Sequence, residues 1–388
     1  MIAVNDRESN TRPVSAGESS GKHLSYLDGV RALAALYVVM HHAERTVTLD
    51  NRRMTPSFRW LHIFDYGHLA VDVFIVLSGF CLMLPIIRSG MQLRGGTVGF
   101  LKRRARRILP PYFLSLALSL ALIATILHDA TGTPWDSCVN VSRLGLVTHA
   151  LLLQDLNTRA AHEIDYPLWS VSVEWRIYFL FPLLLIAWRK LGPWTTAAAF
   201  MAAACALYAV LRNTQFLRCC PHYIGLFGLG ALSAAVAFSD EDSYRSLRTR
   251  TPWGIVTGLL TLVVLMIVAV SRKDNLSLIV IDLPVGVWTC ALLIYSSKGG
   301  PSRVRKFFAW KPFTLIGAFS YSLYLVHAPL LQLVWQYGAS SRNPSLPSSV
   351  AWIYLFDVPL VILGAYLFSL FAERPFMKPA AMPAGTVN

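Results

Sequence analysis

Apolar runs of about twenty residues recur along nearly the whole chain, and no other feature restricts its fold so strongly. Hydrocarbon offers no partner to a backbone N–H or C=O, so a spanning run of that length must close its own hydrogen bonds as an α-helix. Ten runs read this way: 26–43, 66–87, 108–127, 169–188, 192–211, 223–238, 253–270, 277–295, 313–337 and 351–371. A further apolar piece, 144–156, is too short to cross and reads as an interfacial or re-entrant helix. The expected fold is all-α, a polytopic membrane bundle of about ten transmembrane helices. Composition agrees: 55% of the 388 residues are hydrophobic, 14% are charged and the mean hydropathy is +0.49, outside the balance of soluble domains.

A net charge of +14 raises the question of nucleic acid, but the basic residues fall between the apolar runs and no nucleic-acid motif is present. Orientation explains them better. With the amino terminus cytoplasmic, the lysines and arginines outside the spans, all of the 35 but Arg31 and Arg176, divide about two to one in favour of the inner segments, which places both termini inside. Counting 144–156 as a span would move most of the later basic loops outside. The expected organisation is a disordered cytoplasmic tail over 1–24, a membrane domain over 25–376 and a short cytoplasmic tail over 377–388. The polar amino terminus is too long for a signal peptide. The six cysteines are scattered, without metal-ligand spacing, and no metal is expected; Cys138 could pair with Cys219 or Cys220 if both loops face an oxidising side.

The first run, YLDGVRALAALYVVMHHA, carries Asp28, Arg31, His41 and His42. A charge at mid-membrane costs about 2.5–3.5 kcal/mol even on the lenient insertion scale, so such residues tend to be kept for function. Arg31 and His42 are eleven residues apart, which returns them to within about 20° on one helix face, three turns and about 16 Å apart. That face offers a cation at one depth and a titratable imidazole at another. The segment alone also fits a plainer account, with Arg31 snorkelling to a headgroup and the histidines marking the helix end.

Two carboxylates accompany His42 at a similar expected depth: Asp72 in the second run and Glu174 in WSVSVEWRIYFLFPLL, which also holds Arg176 and Tyr178. A carboxylate beside an imidazole holds its tautomer and raises its basicity, as a general base needs. Their plainer roles are a structural ion pair of Glu174 with Arg176 or Arg31, and a packing hydrogen bond for Asp72. The cluster KRRARR precedes the third run at the inner face. It serves as a positive-inside anchor, or as a phosphate clamp in which Arg104 and Arg107 share a face if the helix extends back this far. Phosphates held near Arg104, Arg107 and Arg31, with a chain reaching outward to His42, describe a coenzyme A thioester.

In order, LDGVRALAALYVVMHHA, VDVFIVLSGF, RRARRILPPY, LWSVSVEWRIYFLFPLLL, FSYSLYLVHAPL and ERPF resemble the acyltransferase family 3 membrane proteins, over about Tyr26 to Phe376. The resemblance implies a ten-span bundle that moves an acyl group from cytoplasmic acyl-CoA, acetyl-CoA foremost, to a hydroxyl of a glycan, lipid-linked saccharide or secondary metabolite at the outer side of the inner (plasma) membrane. No permanently bound cofactor is implied. By position, Arg31 and His42 are the family's Arg-x10-His pair, with His42 catalytic. Arg104 and Arg107 fill the Arg-x-x-Arg motif, Glu174 the glutamate of the SVE element and Asp72 the aspartate before FxxSG. His327 fits the pattern as well. Departures are His41 beside His42, a second Arg-x-x-Arg at Arg103 and Arg106, and Arg176 where a neutral residue such as Gln is more usual. No extracytoplasmic domain is expected after the tenth run, so acceptor recognition is expected to lie in the outer loops and the bundle. His128, His149, His162 and His222 read as interfacial or loop residues. The alternative is a proton-coupled transporter or flippase with Asp72, Glu174, His42 and His327 as a relay; a catalytically inert interaction protein is a third reading.

Overall fold

The computed structural model describes residues 23–50, 56–274, 278–298, 302–339 and 346–377. The two expected tails lie almost wholly outside the described residues, which contain no strand. The α-helices are α1 (Ser25–Asp50), α2 (His68–Arg88), α3 (Gly96–Thr125), α4 (Arg143–Ala150), α5 (Trp169–Leu191), α6 (Pro193–Leu211), α7 (His222–Phe238), α8 (Asp242–Arg250), α9 (Trp253–Asp274), α10 (Leu278–Ser297), α11 (Arg303–Phe308), α12 (Lys311–Gly317), α13 (Ser320–Val334), α14 (Leu346–Trp352) and α15 (Val358–Ala372).

Among the described residues, eight straight helices are long and apolar enough to cross a membrane, or nine if the bent pair α12–α13 is one span. The tenth expected span is α1, which is 26 residues long but interrupted by the charged and imidazole groups that make it of interest. It does not stop at Ala43, as the apolar pattern suggested, but runs on through Asp50. α4 is a short helix at the surface of the long 128–167 connection, in keeping with a piece too short to cross. α9 shows what lipid selects: Ile255, Leu259, Leu262, Leu265 and Met266 are all exposed, an apolar face that water would not tolerate.

α2 is the central element, packed against α1, α7 and α10, while α6 covers α7 and α9 covers α10. Small residues set how closely these helices approach. A Cβ on Gly79 would run into the Phe227 carbonyl, and one on Gly230 into the Val76 carbonyl, so the backbones of α2 and α7 touch. On the other side α1 packs against α12 and α13, and α13 against α15. The α12–α13 pair bends by 75°. Broken backbone at membrane depth persists where it is buried in protein or lines a polar cavity; here the bend supplies Thr314, Gly317, Ser320 and Tyr321 to the wall of one.

All six cysteines are free, so the pairing considered for Cys138 is not present. Its thiol donates to the His162 carbonyl at 3.3 Å inside the folded 128–167 connection. His149 and His222, read from sequence as interfacial, are buried. That connection folds back as a compact cap, so polarity there does not mean exposure; the His149 Nδ1 sits 2.9 Å from the Gly145 carbonyl.

Candidate active site

α3 continues through the basic cluster, so the Arg-x-x-Arg spacing becomes a helix face. Arg104 and Arg107 line a cavity of about 630 Å³ together with Arg31, Glu174, Tyr178 and Tyr324. Arg103 and Arg106 do not line it; Arg103 turns away and donates Nη2 to the Arg94 carbonyl at 2.7 Å. Of the two overlapping motifs, Arg104 and Arg107 are thus the pair that faces this cavity.

Three carboxylates also line it, Asp28, Glu174 and Glu373, and each has another partner. Arg31 donates Nη1 to Asp28 at 2.9 Å and Nη2 to the Cys81 sulfur at 3.0 Å. Glu174 accepts from the Tyr178 hydroxyl, to which Ser78 donates at 3.1 Å. Glu373, in the ERPF element, accepts from the Ser322 hydroxyl at 2.6 Å and its backbone N–H at 3.2 Å. Among the described residues neither Arg104 nor Arg107 is paired with a carboxylate. Arg104 lies over the rings of Phe100 (5.8 Å) and Tyr178 (5.9 Å), a cation–π arrangement that orients the guanidinium without consuming its donors. The result suits an anion that accepts several forked hydrogen bonds.

His42 does not line this cavity, but it is linked by hydrogen bonds through His327 to Tyr324, which does. The Tyr324 and Ser170 hydroxyls both line the cavity and are 2.5 Å apart. Behind Tyr324, His327 is fully buried, and its Nδ1 is 2.6 Å from the Tyr324 carbonyl. A carbonyl only accepts, so that Nδ1 carries the proton, and the neutral ring's Nε2 keeps the lone pair. The His42 Nδ1 is 2.8 Å from this Nε2 and must therefore donate to it. By this chain His42 is left with an unprotonated Nε2, the form a general base requires. The two rings are nearly parallel, at 11°, and Tyr166 meets His42 edge-on with centroids 4.9 Å apart. His41 turns to another partner, its Nδ1 2.6 Å from the Phe64 carbonyl.

The carboxylates anticipated beside His42 are elsewhere. Glu174 belongs to the cavity wall, and Asp72 is buried between α2, α7 and α10 near His222 and Asp282. The residue that orients His42 is His327, which sequence reasoning had kept only as a candidate. Equal distance from a helix end does not make residues of different helices neighbours, because rotation about each axis decides what they face. Arg176 does not pair with Glu174 either; it donates both guanidinium nitrogens to the buried Asp155 carboxylate, Nη1 at 2.7 Å. Removing one partner of such a pair costs about 3 kcal/mol or more because the remaining charge stays buried. Arg176→Ala should therefore melt well below wild type in detergent, and Asp155→Asn in the same chain should restore part of the loss. A single variant that melts with wild type would show the pair to be idle.

The fold and this site define a class: helical membrane proteins with a cation-lined cavity and a hydrogen-bonded histidine pair behind one of its lining tyrosines. The chain belongs to the acyltransferase family 3 membrane proteins; the family profile described as an acyltransferase domain matches residues 24–372. It is similar to the O-acetyltransferase OatA of Staphylococcus aureus, strains NCTC 8325 / PS 47 and COL, at 24% identity in an alignment of 404 positions that covers 92% of this chain. The chain spans 58% of the length of those relatives. No solved structure matches it.

Proposed function

We propose that the protein is a membrane O-acyltransferase that takes an acyl group, acetyl foremost, from acyl-CoA on the cytoplasmic side. The acceptor is a hydroxyl on the outer side, carried by a glycan, a lipid-linked saccharide or a secondary metabolite. The O-acetyltransferase names of the relatives support acetyl transfer. The observation that carries the reading is that one cavity is lined by Arg104, Arg107 and Arg31 and also by Tyr324, whose carbonyl is bonded to His327 of the His327–His42 pair. Phosphates of the donor meet the arginines, the thioester arm runs along the cavity, and the Tyr324–Ser170 hydrogen bond opens to admit the acyl carbonyl. His42 Nε2 takes the acceptor's hydroxyl proton as its oxygen attacks that carbonyl. The carbon–sulfur bond then breaks, the thiolate takes the proton from His42, and the ester and free coenzyme A leave.

The test is release of free coenzyme A from acetyl-CoA by the purified chain, with and without membrane glycans. Transfer of labelled acetyl to a hydroxyl supports the reading; transport of a substrate with no thiol release, in vesicles, would replace it by the transporter. A single relay through Asp72, Glu174, His42 and His327 finds little support, since these groups lie at three separate places.

Residence in the plasma membrane is part of the same proposal, and the charge asymmetry supports an orientation with both termini inside. Single cysteines at Arg94 and Arg143, both exposed, should then react with a membrane-impermeant maleimide from opposite sides, Arg94 from the cytoplasm. Labelling of both from one side sinks the topology.

A further inference from the structure

The buried group left over from the cavity and the histidine pair is Asp72, His222 and Asp282. It joins three helices that form the tightest part of the bundle, α2, α7 and α10. One ligating atom from each lies within 4.8 Å of the other two. The His222 Nε2 is 2.8 Å from an Asp282 oxygen, and His68, one turn before Asp72, places its Nε2 3.4 Å from the other. Asp72 is 0% exposed, and neither of its carboxylate oxygens makes a well-formed hydrogen bond, although the Tyr223 hydroxyl and the Asp282 carboxylate lie beside it.

Two carboxylates side by side in apolar surroundings cannot both stay ionised unless positive charge sits between them. A buried carboxylate with no well-formed hydrogen bond on either oxygen also forgoes contacts that such groups almost always make. A divalent cation removes both difficulties, and the donors present suit one. Carboxylate oxygens together with imidazole nitrogen are the set preferred by zinc and neighbouring first-row ions, while the lack of an all-oxygen shell disfavours calcium and magnesium. Ligands of a tetrahedral zinc ion lie about 3.4 Å apart, so rotation of the Asp72 carboxylate closes the remaining gap. A separate cavity of about 380 Å³, bordered by His68, His222 and Asp282, provides a way in.

We propose that Asp72, His222 and Asp282 hold one divalent first-row transition-metal cation, zinc in the first instance, with His68 as the outer partner that orients Asp282. The ion cross-links α2, α7 and α10, and it does so away from the arginine-lined cavity, so its role is structural and independent of the acyl-transfer reading. No spacing motif announces it, because the three ligands are separated by 150 and 60 positions in the chain.

Metal content and zinc uptake of the purified full chain test this. About one ion per chain is expected on purification, or on returning zinc chloride to chelator-treated protein, with a Tm that rises with the logarithm of free zinc. Asp282→Asn and His222→Ala should abolish the uptake, and His68→Gln should weaken it about 10- to 100-fold, the usual cost of losing an outer partner. Arg31→Ala, in the other cavity, should retain full uptake. Wild-type protein that neither carries a divalent ion nor takes up zinc or manganese overturns the proposal even if every variant misfolds. Uptake that survives both Asp282→Asn and Asp72→Asn overturns it equally.

Discussion

Replacing His42 by alanine should lower kcat at least about a hundredfold while the donor still binds, because a positioned general base is worth about 10² to 10⁴ in rate. The size of the loss rests on the hydrogen-bond chain from the Tyr324 carbonyl through His327 to His42, which leaves the His42 Nε2 unprotonated. His327 acts through His42, so His327→Ala should cost less than His42→Ala and act on kcat more than on the KM for acyl-CoA. His327→Gln, which can still offer an acceptor to the His42 Nδ1–H, should recover part of the loss. His41→Ala should change little, since that ring is held by the Phe64 carbonyl. A two-step route through acyl-His42 competes with direct transfer, and labelled acyl-enzyme trapped without acceptor would select it. Near wild-type turnover in His42→Ala together with an inactive His41→Ala would refute the assignment.

The second large effect concerns the donor. A hydrogen bond to a charged group contributes about 1.5–3 kcal/mol, so Arg104→Ala or Arg107→Ala should raise the KM for acyl-CoA by roughly 10- to 100-fold. Added salt should weaken donor binding more in wild type than in the double variant. Lysine at either position should restore only part, since an ammonium lacks the planar fork. The internal control is built into the helix: Arg103→Ala and Arg106→Ala remove equal charge from the same cluster but face away from the cavity. If all four variants behave alike, the cluster acts as a membrane-orientation signal and the clamp is wrong.

The Asp72→Asn variant separates two roles for that residue. Its expected depth makes Asp72 a carboxylate that orients His42, whereas its place among α2, α7 and α10 makes it a tie between helices. A fall in Tm and metal content with kcat per folded molecule largely kept would support the tie.

What the sequence determined by itself was the set of long apolar helices and several of the groups that face the cavity. Apolar length defines a span because lipid leaves a backbone no other way to satisfy itself. The 3.6-residue period places Arg104 with Arg107 on one face, and both statements are local to one helix. The resemblance named Arg31, His42, Arg104, Arg107 and Glu174 because these stand within contiguous motifs. Tertiary structure decided everything that depends on how one helix is turned against another. The α12–α13 bend opens the cavity, and the packing of α13 on α1 brings His327 to His42 across 285 positions of sequence. It also carries Asp72 away to His222 and Asp282. Asp282 was visible as a lone acid in an apolar run, a signal that such residues have a task, but its partners sit on other helices. Helix rotation and close approach are set by side-chain packing over the whole bundle, with small residues such as Gly79 and Gly230 permitting contact. No single segment encodes that sum, and so the partners of His42 and Asp72 could be read only from the folded chain.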